Sequence, residues 1–178
     1  DFQQATEFVR LAPFPVVAAL SGLCLGGGCE FAFVADRRVV MAETRMGLVE
    51  AGVGLLPSGG GIAHMARTQS RLNICEVHKA IATGLMCDNA FEAQKRGFLQ
   101  YEDTILLAND QLLSKAVEQL GSLMESWVER PADLPIQAVS NEEISAIDQW
   151  IADQVDRGLL TAHDALLGRI LTGVLCGD

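Results

Sequence analysis

Two glutamates, each beside a glycine-rich stretch, are the residues whose types and positions best suit chemistry. Glu30 ends the run Gly26-Gly27-Gly28-Cys29-Glu30, and Glu50 lies in Gly47-Leu48-Val49-Glu50-Ala51-Gly52, again among apolar residues. A carboxyl group in an apolar setting must be paired or functional, and two of them suit acid–base catalysis. Three successive glycines also let a backbone approach a ligand and present its N–H groups, although a tight turn with positive φ would explain them equally.

Other motifs of catalytic loops are incomplete or missing. The phosphate-loop string GxxxxGK[ST] does not occur, Pro57 takes the last position of GxGxxG over 52–57, and Leu56 replaces the first glycine of GxSxG at Ser58. The three histidines and five cysteines lack metal-ligand spacing, so we predict no metal site. Buried thiols and surface imidazoles are the expected arrangement.

Composition limits the class of protein. A chain of 178 residues with 49% hydrophobic residues can form one domain with a substantial core, and its net charge of −10 argues against nucleic-acid binding. Five cysteines without a CxxC pair indicate a reducing, cytoplasmic setting. The uncharged stretch 11–29 is long enough to span a membrane, but its prolines and glycines favour a buried strand and a turn, so no membrane span is expected.

The elements that must position the two glutamates follow from hydrophobic spacing. We predict a helix over 3–11, a strand over 16–20, a turn over 21–28, a helix over 28–35, a strand over 38–41, and a glycine-rich loop over 47–61 that leads into a helix near Gly60. Further helices are predicted over 72–82, 90–96, 110–128, 140–158 and from 161 onward, with a strand over 104–107. The helix over 110–128 carries an apolar stripe of Leu113, Val117, Leu120, Met124 and Trp127. The fold class is therefore α/β with a helical C-terminal region.

Residues 13–100 resemble the crotonase family, that is, the enoyl-CoA hydratases and isomerases. The likeness is carried by Pro15 to Glu30, by Asp36, by Met46-Gly47-Leu48-Val49-Glu50, and by Gly54 to Gly61. It continues weakly through 82–84 and 93–98. The resemblance implies a partial crotonase ββα spiral core over 1–108, without its N-terminal segment, followed by a helical region over 109–178.

The stretches 50–57 and 161–178 resemble a bifunctional subgroup in which an NAD-dependent 3-hydroxyacyl-CoA dehydrogenase precedes the crotonase module. The first residue is not Met, and we expect the chain to be the C-terminal part of such a protein. The resemblance implies a dehydrogenase domain as partner in the same polypeptide, with NAD bound only there, and a homo-oligomer. No cofactor is expected in this segment, and an acyl-CoA thioester is the implied substrate.

The resemblance also implies the role of each site residue. The N–H of Gly27 would be one of two donors to the thioester oxygen, Glu30 would activate the water that adds at Cβ, and Glu50 would deliver a proton to Cα. The other implied substrate-binding residues are Leu25, Gly26, Gly28, Pro57 and Ser58. Ser58 stands where the family usually has glycine, and its hydroxyl either begins a helix, which we favour, or bonds Glu50 or the water.

A second departure from the family pattern, besides Ser58, concerns the oxyanion hole. The family's second oxyanion donor lies in an earlier Gly-Ala-Asp-type turn, and that string does not occur in this sequence. The predicted function is enoyl-CoA hydratase in fatty-acid β-oxidation. The alternatives are an isomerase of the same family, which needs only one acid–base group, and a non-catalytic assembly module that uses the amphipathic helices after residue 110.

Overall fold

The core of the fold is a pair of β-β-α units. The computed structural model describes residues 1–68, 73–131 and 139–176. The first unit consists of β1 (Val17–Leu20), β2 (Leu23–Leu25) and α2 (Gly27–Phe33), and the second of β3 (Arg37–Met41), β4 (Arg45–Gly47) and α3 (Gly61–Thr68). Strand β1 pairs in parallel with β3, and β2 pairs in parallel with β4. The two units therefore stack, as the predicted ββα spiral requires.

The remaining elements surround this stack. Strand β5 (Thr104–Leu106) joins β3 in parallel, which gives a sheet of order β1-β3-β5. The other helices are α1 (Phe2–Arg10), α4 (Ile74–Ala82), α5 (Ala90–Lys95), α6 (Leu112–Met124), α7 (Asn141–Asp156) and α8 (Ala162–Cys176). Short 3₁₀ turns occupy Glu50–Val53 and Asn109–Gln111. The described residues contain no helix that is both long and apolar enough to cross a bilayer.

The turn predicted over 21–28 is wrong in part, because it contains strand β2. Strands β2 and β4 have three residues each, which is too short for an alternating pattern, and both adjoin glycines. They are recognised as strands only because they pair with each other in parallel, with Leu23 opposite Arg45. The rest of the uncharged stretch 11–29 forms a strand and the start of a helix, as predicted.

The main core joins the β-β-α units to the C-terminal helix. Phe33, Leu48 and Ile81 are buried together with Leu171 and Leu175 of α8. Helix α8 lies in the region over 109–178 that the sequence sets apart, yet it packs into the same core as α2 and α4. Helix α6 instead covers the sheet with Leu112 and Ala116, which pack with Val39 and Met41.

A buried ion pair fixes the beginning of β3 against the loop before β5. Asp103 accepts hydrogen bonds from the backbone N–H of Arg38 at 3.0 Å, from Arg38 Nε at 2.7 Å and from the Gln100 N–H at 2.7 Å. Both side chains of the ion pair are almost inaccessible to solvent. Such a pair is stable only when its oxygens and nitrogens are fully bonded, as they are here.

Asp36, one of the residues that carry the family likeness, joins the end of α2 to two other segments. Its Oδ2 accepts the Val16 N–H at 2.8 Å, and its Oδ1 accepts Arg130 Nε at 2.8 Å. Asp36 therefore has a structural role at the entrance to β1.

Candidate active site

Glu30 is buried and held by two backbone amides. It lies on α2, where it is 2% exposed, and its Oε1 accepts the N–H groups of Gly59 and Gly61, both at 2.8 Å. Its Oε2 lies 2.7 Å from the point that a Cβ on Gly59 would occupy. Only a glycine at position 59 therefore allows the backbone to come this close. The two amide donors fix the orientation of this carboxyl group.

Glu50 lies beside the other glycine turn, at Gly26. It begins the 3₁₀ turn Glu50–Val53, and its Oε1 lies 3.2 Å from the point that a Cβ on Gly26 would occupy. Its Oε2 is buried and has no hydrogen-bond partner among the residues that the structure describes. Burial raises the pKa of Glu50 above its ordinary value; its own backbone N–H lowers the pKa, and the charge of Glu30 raises it. Glu50 is therefore suited to carry a proton.

In the glycine turn beside Glu50, the N–H of Gly26 belongs to strand pairing and the N–H of Gly27 lies at the start of a helix. The N–H of Gly26 donates to the Gly47 carbonyl at 2.9 Å, which extends the β2–β4 pairing. Gly26 has φ +53°, a conformation that favours glycine. Gly27 is the first residue of α2, a position whose N–H has no acceptor within its own helix. That N–H is thus a candidate donor one residue after Gly26, which Glu50 adjoins.

The other predicted binding residues differ in how far they are exposed to solvent. Leu25 ends β2 and is half-buried, Gly28 is exposed on the first turn of α2, and Pro57 is buried. Ser58 is exposed, and α3 begins three residues later at Gly61. The favoured interpretation of Ser58 as the start of a helix is therefore wrong, and its hydroxyl has no hydrogen-bond partner within the described ranges.

Sequence reasoning missed three residues of the site: Phe2, Gly59 and Gly61. The two glycines were assigned to a loop leading into a helix, whereas their amides bind Glu30. The signal was present, because Gly59-Gly60-Gly61 precedes α3 as Gly26-Gly27-Gly28 precedes and begins α2. No pattern in the sequence predicts that the ring of Phe2 contacts both Gly27 and Gly59.

The histidines do not take part in this site. His78 is fully buried and its Nε2 lies 2.9 Å from the Gly168 carbonyl, so the expectation of surface imidazoles is wrong for this residue. His64 stacks on Phe33 with ring centroids 4.3 Å apart. Burial, with the nearby charges of Arg38, Arg130 and Arg67, lowers the pKa of His64 to about 3, so its ring is neutral at physiological pH.

A cavity of about 790 Å³ lies behind the glycine turn that binds Glu30. Gly59 and Gly60 form part of its wall, and several arginines form much of the rest. Three of these are neutralised by partners, since Arg10 pairs with Glu7, Arg38 with Asp103 and Arg130 with Asp36. Neither Glu50 nor Gly27 belongs to its described lining, so the candidate site is the glycine turn and not this cavity. The described residues contain no cluster of potential metal ligands, and the five cysteines are free thiols.

Residues 1–149 match the family described as enoyl-CoA hydratase/isomerase, and the chain belongs to this family. A solved structure of an enoyl-CoA hydratase from Bacillus anthracis has a similar fold, with a TM-score of 0.60 and 22% identity over 96% of this chain and 57% of that one. The crotonase-type α/β fold predicted from the sequence is thereby confirmed.

Two curated relatives are larger proteins. The chain is 30% identical over 99% of its length to a Bacillus subtilis protein named "Probable 3-hydroxyacyl-CoA dehydrogenase", of which it covers 23%. It is 41% identical over 60% of its length to a Vibrio parahaemolyticus protein named "Fatty acid oxidation complex subunit alpha", of which it covers 14%. The chain therefore spans less than a quarter of the length of these two relatives.

Proposed function

We propose that this chain is the hydratase part of a fatty-acid β-oxidation protein, and that it adds water across the double bond of a 2-enoyl-CoA thioester. The observation that carries the proposal is that Glu50 lies beside Gly26, just before the Gly27 N–H that has no acceptor within α2, while Glu30, bound by Gly59 and Gly61, is close enough for its charge to raise the pKa of Glu50. Family membership and relatives named for 3-hydroxyacyl-CoA dehydrogenase and fatty acid oxidation support it.

In this proposal the two acids have different roles, Glu30 as the base and Glu50 as the acid. The thioester oxygen accepts the Gly27 N–H, which stabilises the negative charge that develops as water adds; a donor of this kind typically contributes about 10²–10³ in rate. Glu30, oriented by the amides of Gly59 and Gly61, removes a proton from water while the oxygen bonds to Cβ. Glu50, whose pKa is raised, gives its proton to Cα. In total, the substrate gains one water molecule. Exchange with solvent then removes the proton from Glu30 and returns a proton to Glu50.

Gly27 supplies one donor, whereas the family resemblance implies two. We infer that the second comes from a part of the protein outside this sequence, because no Gly-Ala-Asp turn occurs in it. The Bacillus subtilis relative supports a dehydrogenase domain in the same polypeptide, which would bind NAD and oxidise the hydroxyl that hydration creates. The odd number of cysteines supports a reducing, cytoplasmic location.

The test is hydration of crotonyl-CoA, monitored as loss of the conjugated thioester absorbance, by the full-length protein that contains this chain and by its Glu30→Gln and Glu50→Gln variants. We expect each variant to lose roughly 10²–10⁴ in rate, which is the usual contribution of a positioned acid or base. Glu118→Gln, on the exposed side of α6, is the matched control and should hydrate at the wild-type rate. If both site variants hydrated crotonyl-CoA at the wild-type rate, the proposal would be overturned.

The same variants separate hydratase from isomerase. Moving a double bond requires one group that removes and returns a proton, whereas hydration uses both acids. If Glu30→Gln abolished hydration but left isomerisation of a 3-enoyl-CoA intact, Glu50 alone would serve an isomerase. The presence of both carboxylates, close enough for the charge of Glu30 to raise the pKa of Glu50, favours the hydratase.

We also propose that the chain self-associates through α6. Leu113 is 73% exposed, and Val117 and Met124 on the same helix are each 69% exposed. An apolar surface of this kind is typical of protein contacts. The Val117→Lys variant should sediment more slowly than the wild-type assembly, whereas Lys115→Gln on the same helix should sediment like wild type. A monomeric wild-type chain would contradict the proposal.

A further inference from the structure

The ring of Phe2 lies against the candidate site at two points. A Cβ on Gly27 would come within 2.8 Å of Phe2 Cζ, and a Cβ on Gly59 would collide with the ring as well as with Glu30 Oε2. Phe2 therefore contacts the residue that offers the oxyanion N–H and also the turn that binds the base. It stands beside the Glu30 oxygen that the amides of Gly59 and Gly61 leave free.

Local bonds hold this ring in place. Asp1 caps α1, because its Oδ1 accepts the Gln4 N–H at 2.9 Å, and the Asp1 backbone nitrogen donates to Gln4 Oε1 at 2.7 Å. Four residues after Phe2, on the same helix face, Thr6 Oγ1 donates to the Gly59 carbonyl at 2.5 Å. Helix α1 is thus anchored to Gly59 through both Phe2 and Thr6.

A second ring extends the apolar surface. Phe31, which follows Glu30 on α2, meets Phe2 edge to face with ring centroids 5.4 Å apart. Both rings are partly exposed, at 38% for Phe2 and 39% for Phe31. Two phenyl groups beside an otherwise polar site suit a hydrocarbon group better than a charged or hydroxylated one.

We infer that Phe2 is a specificity-determining residue that limits the length of the acyl chain beyond Cβ. The inference rests on the proposed function. With the thioester oxygen at Gly27 and Cβ beside Glu30, the acyl carbons that follow Cβ must pass the Phe2 ring. The ring contacts short hydrocarbon groups and obstructs longer ones, so this site favours short, apolar enoyl thioesters.

The experiment compares crotonyl-CoA with 2-octenoyl-CoA in wild type, Phe2→Ala, Phe2→Leu and Phe8→Ala. Phe8→Ala is the matched control, because Phe8 lies on the same helix and is 80% exposed. We expect Phe2→Ala to raise the kcat/KM ratio of octenoyl-CoA to crotonyl-CoA by about 10-fold or more, since apolar contacts of one or a few methylenes change discrimination by roughly 10–200-fold. Phe2→Leu should give an intermediate ratio, and Phe8→Ala should leave the ratio unchanged.

A binding measurement with saturated thioesters tests the role of Phe2 without relying on turnover. The affinities of butyryl-CoA and octanoyl-CoA, measured by calorimetry on the same four proteins, should change in the same direction as the kinetic ratio. Unchanged ratios in Phe2→Ala, or an equal change in Phe8→Ala, would overturn the role of Phe2 while leaving hydration intact. Hydration that is insensitive to Glu30→Gln would instead overturn the proposed function, and absence of binding by both thioesters would overturn both.

Discussion

The glycine-rich region around Glu30 and the helical region after residue 109 are stabilised in different ways. Around Glu30, backbone segments approach so closely that a single methyl group on Gly59 would collide with two side chains. On α6, by contrast, Leu113, Val117 and Met124 face solvent, and a Cβ on Gly121 would meet no described atom within 4 Å. The comparison shows that the site depends on exact backbone contacts, whereas the α6 surface tolerates change until a partner covers it.

The largest expected difference concerns two ion pairs, one buried between β3 and the loop before β5 and one exposed in the helical region. Asp103→Ala should lower the free energy of unfolding by about 3–5 kcal/mol, because it leaves the buried Arg38 without its partner. Asp153→Ala removes an exposed pair with Arg157 on α7 and should cost about 0–1 kcal/mol. Urea unfolding of both variants measures the difference, and similar costs would break the comparison.

Two adjacent leucines test which face of α6 packs on the sheet. Leu112→Ala should cost about 2–5 kcal/mol, because Leu112 is buried against Val39 and Met41. Leu113→Ala should change stability by no more than about 0.5 kcal/mol in the monomer, because this side chain is exposed. The reverse order in thermal or urea unfolding would show that the apolar stripe predicted from the sequence is the packed face.

Two glycines test the difference in backbone approach. Gly59→Ala should destabilise the fold by about 1–3 kcal/mol, because the methyl group forces Phe2 and Glu30 apart. Gly121→Ala should stabilise α6 by about 0.5–1 kcal/mol, because alanine is the better helix former and has room. Chemical denaturation measures both, and equal effects would contradict the close approach at Gly59.

The smallest expected effect is a pair of opposite pH dependences. Burial raises the pKa of Glu50 above its ordinary value of 4.5, so the folded state holds its proton more tightly and loses stability as pH rises above that value. Glu50→Gln should therefore match wild type below pH 4.5 and be more stable at neutral pH, by no more than about 1 kcal/mol because the group is partly solvated.

Glu143 is the counterpart in the helical region. Hydrogen bonds from the Ser140 N–H and hydroxyl lower the pKa of Glu143, so its stabilising effect is present above 4.5 and is lost as pH falls. Glu143→Gln should be less stable than wild type at neutral pH and equal to it in acid. Unfolding curves at several pH values measure both effects. If Glu50→Gln and Glu143→Gln changed the free energy of unfolding at neutral pH in the same direction, the comparison would be contradicted.

The positions of many helices and strands were predictable, because their signals are local. The helices near 3–11, 28–35, 72–82 and 90–96, and the strands near 16–20, 38–41 and 104–107, occur where hydrophobic spacing predicts them. Strands β2 and β4 were not predictable, because three residues beside a glycine carry no period and their pairing joins residues about twenty positions apart. The packed face of α6 was not decided by the sequence either, because a helical period does not say which of two apolar neighbours meets the sheet.

By itself, the sequence determined the fold class, the family, and the two acids with their glycine turn, because each of these is written in contiguous residues. Only the tertiary structure decided that the amides of Gly59 and Gly61 bind Glu30, that Oε2 of Glu50 is buried without a partner, and that Phe2 stands over Gly27. These contacts join segments distant in sequence, and their distances depend on how α1, α2 and α3 pack against one another. Spacing along a chain encodes local conformation, whereas the geometry of a site arises from packing between elements.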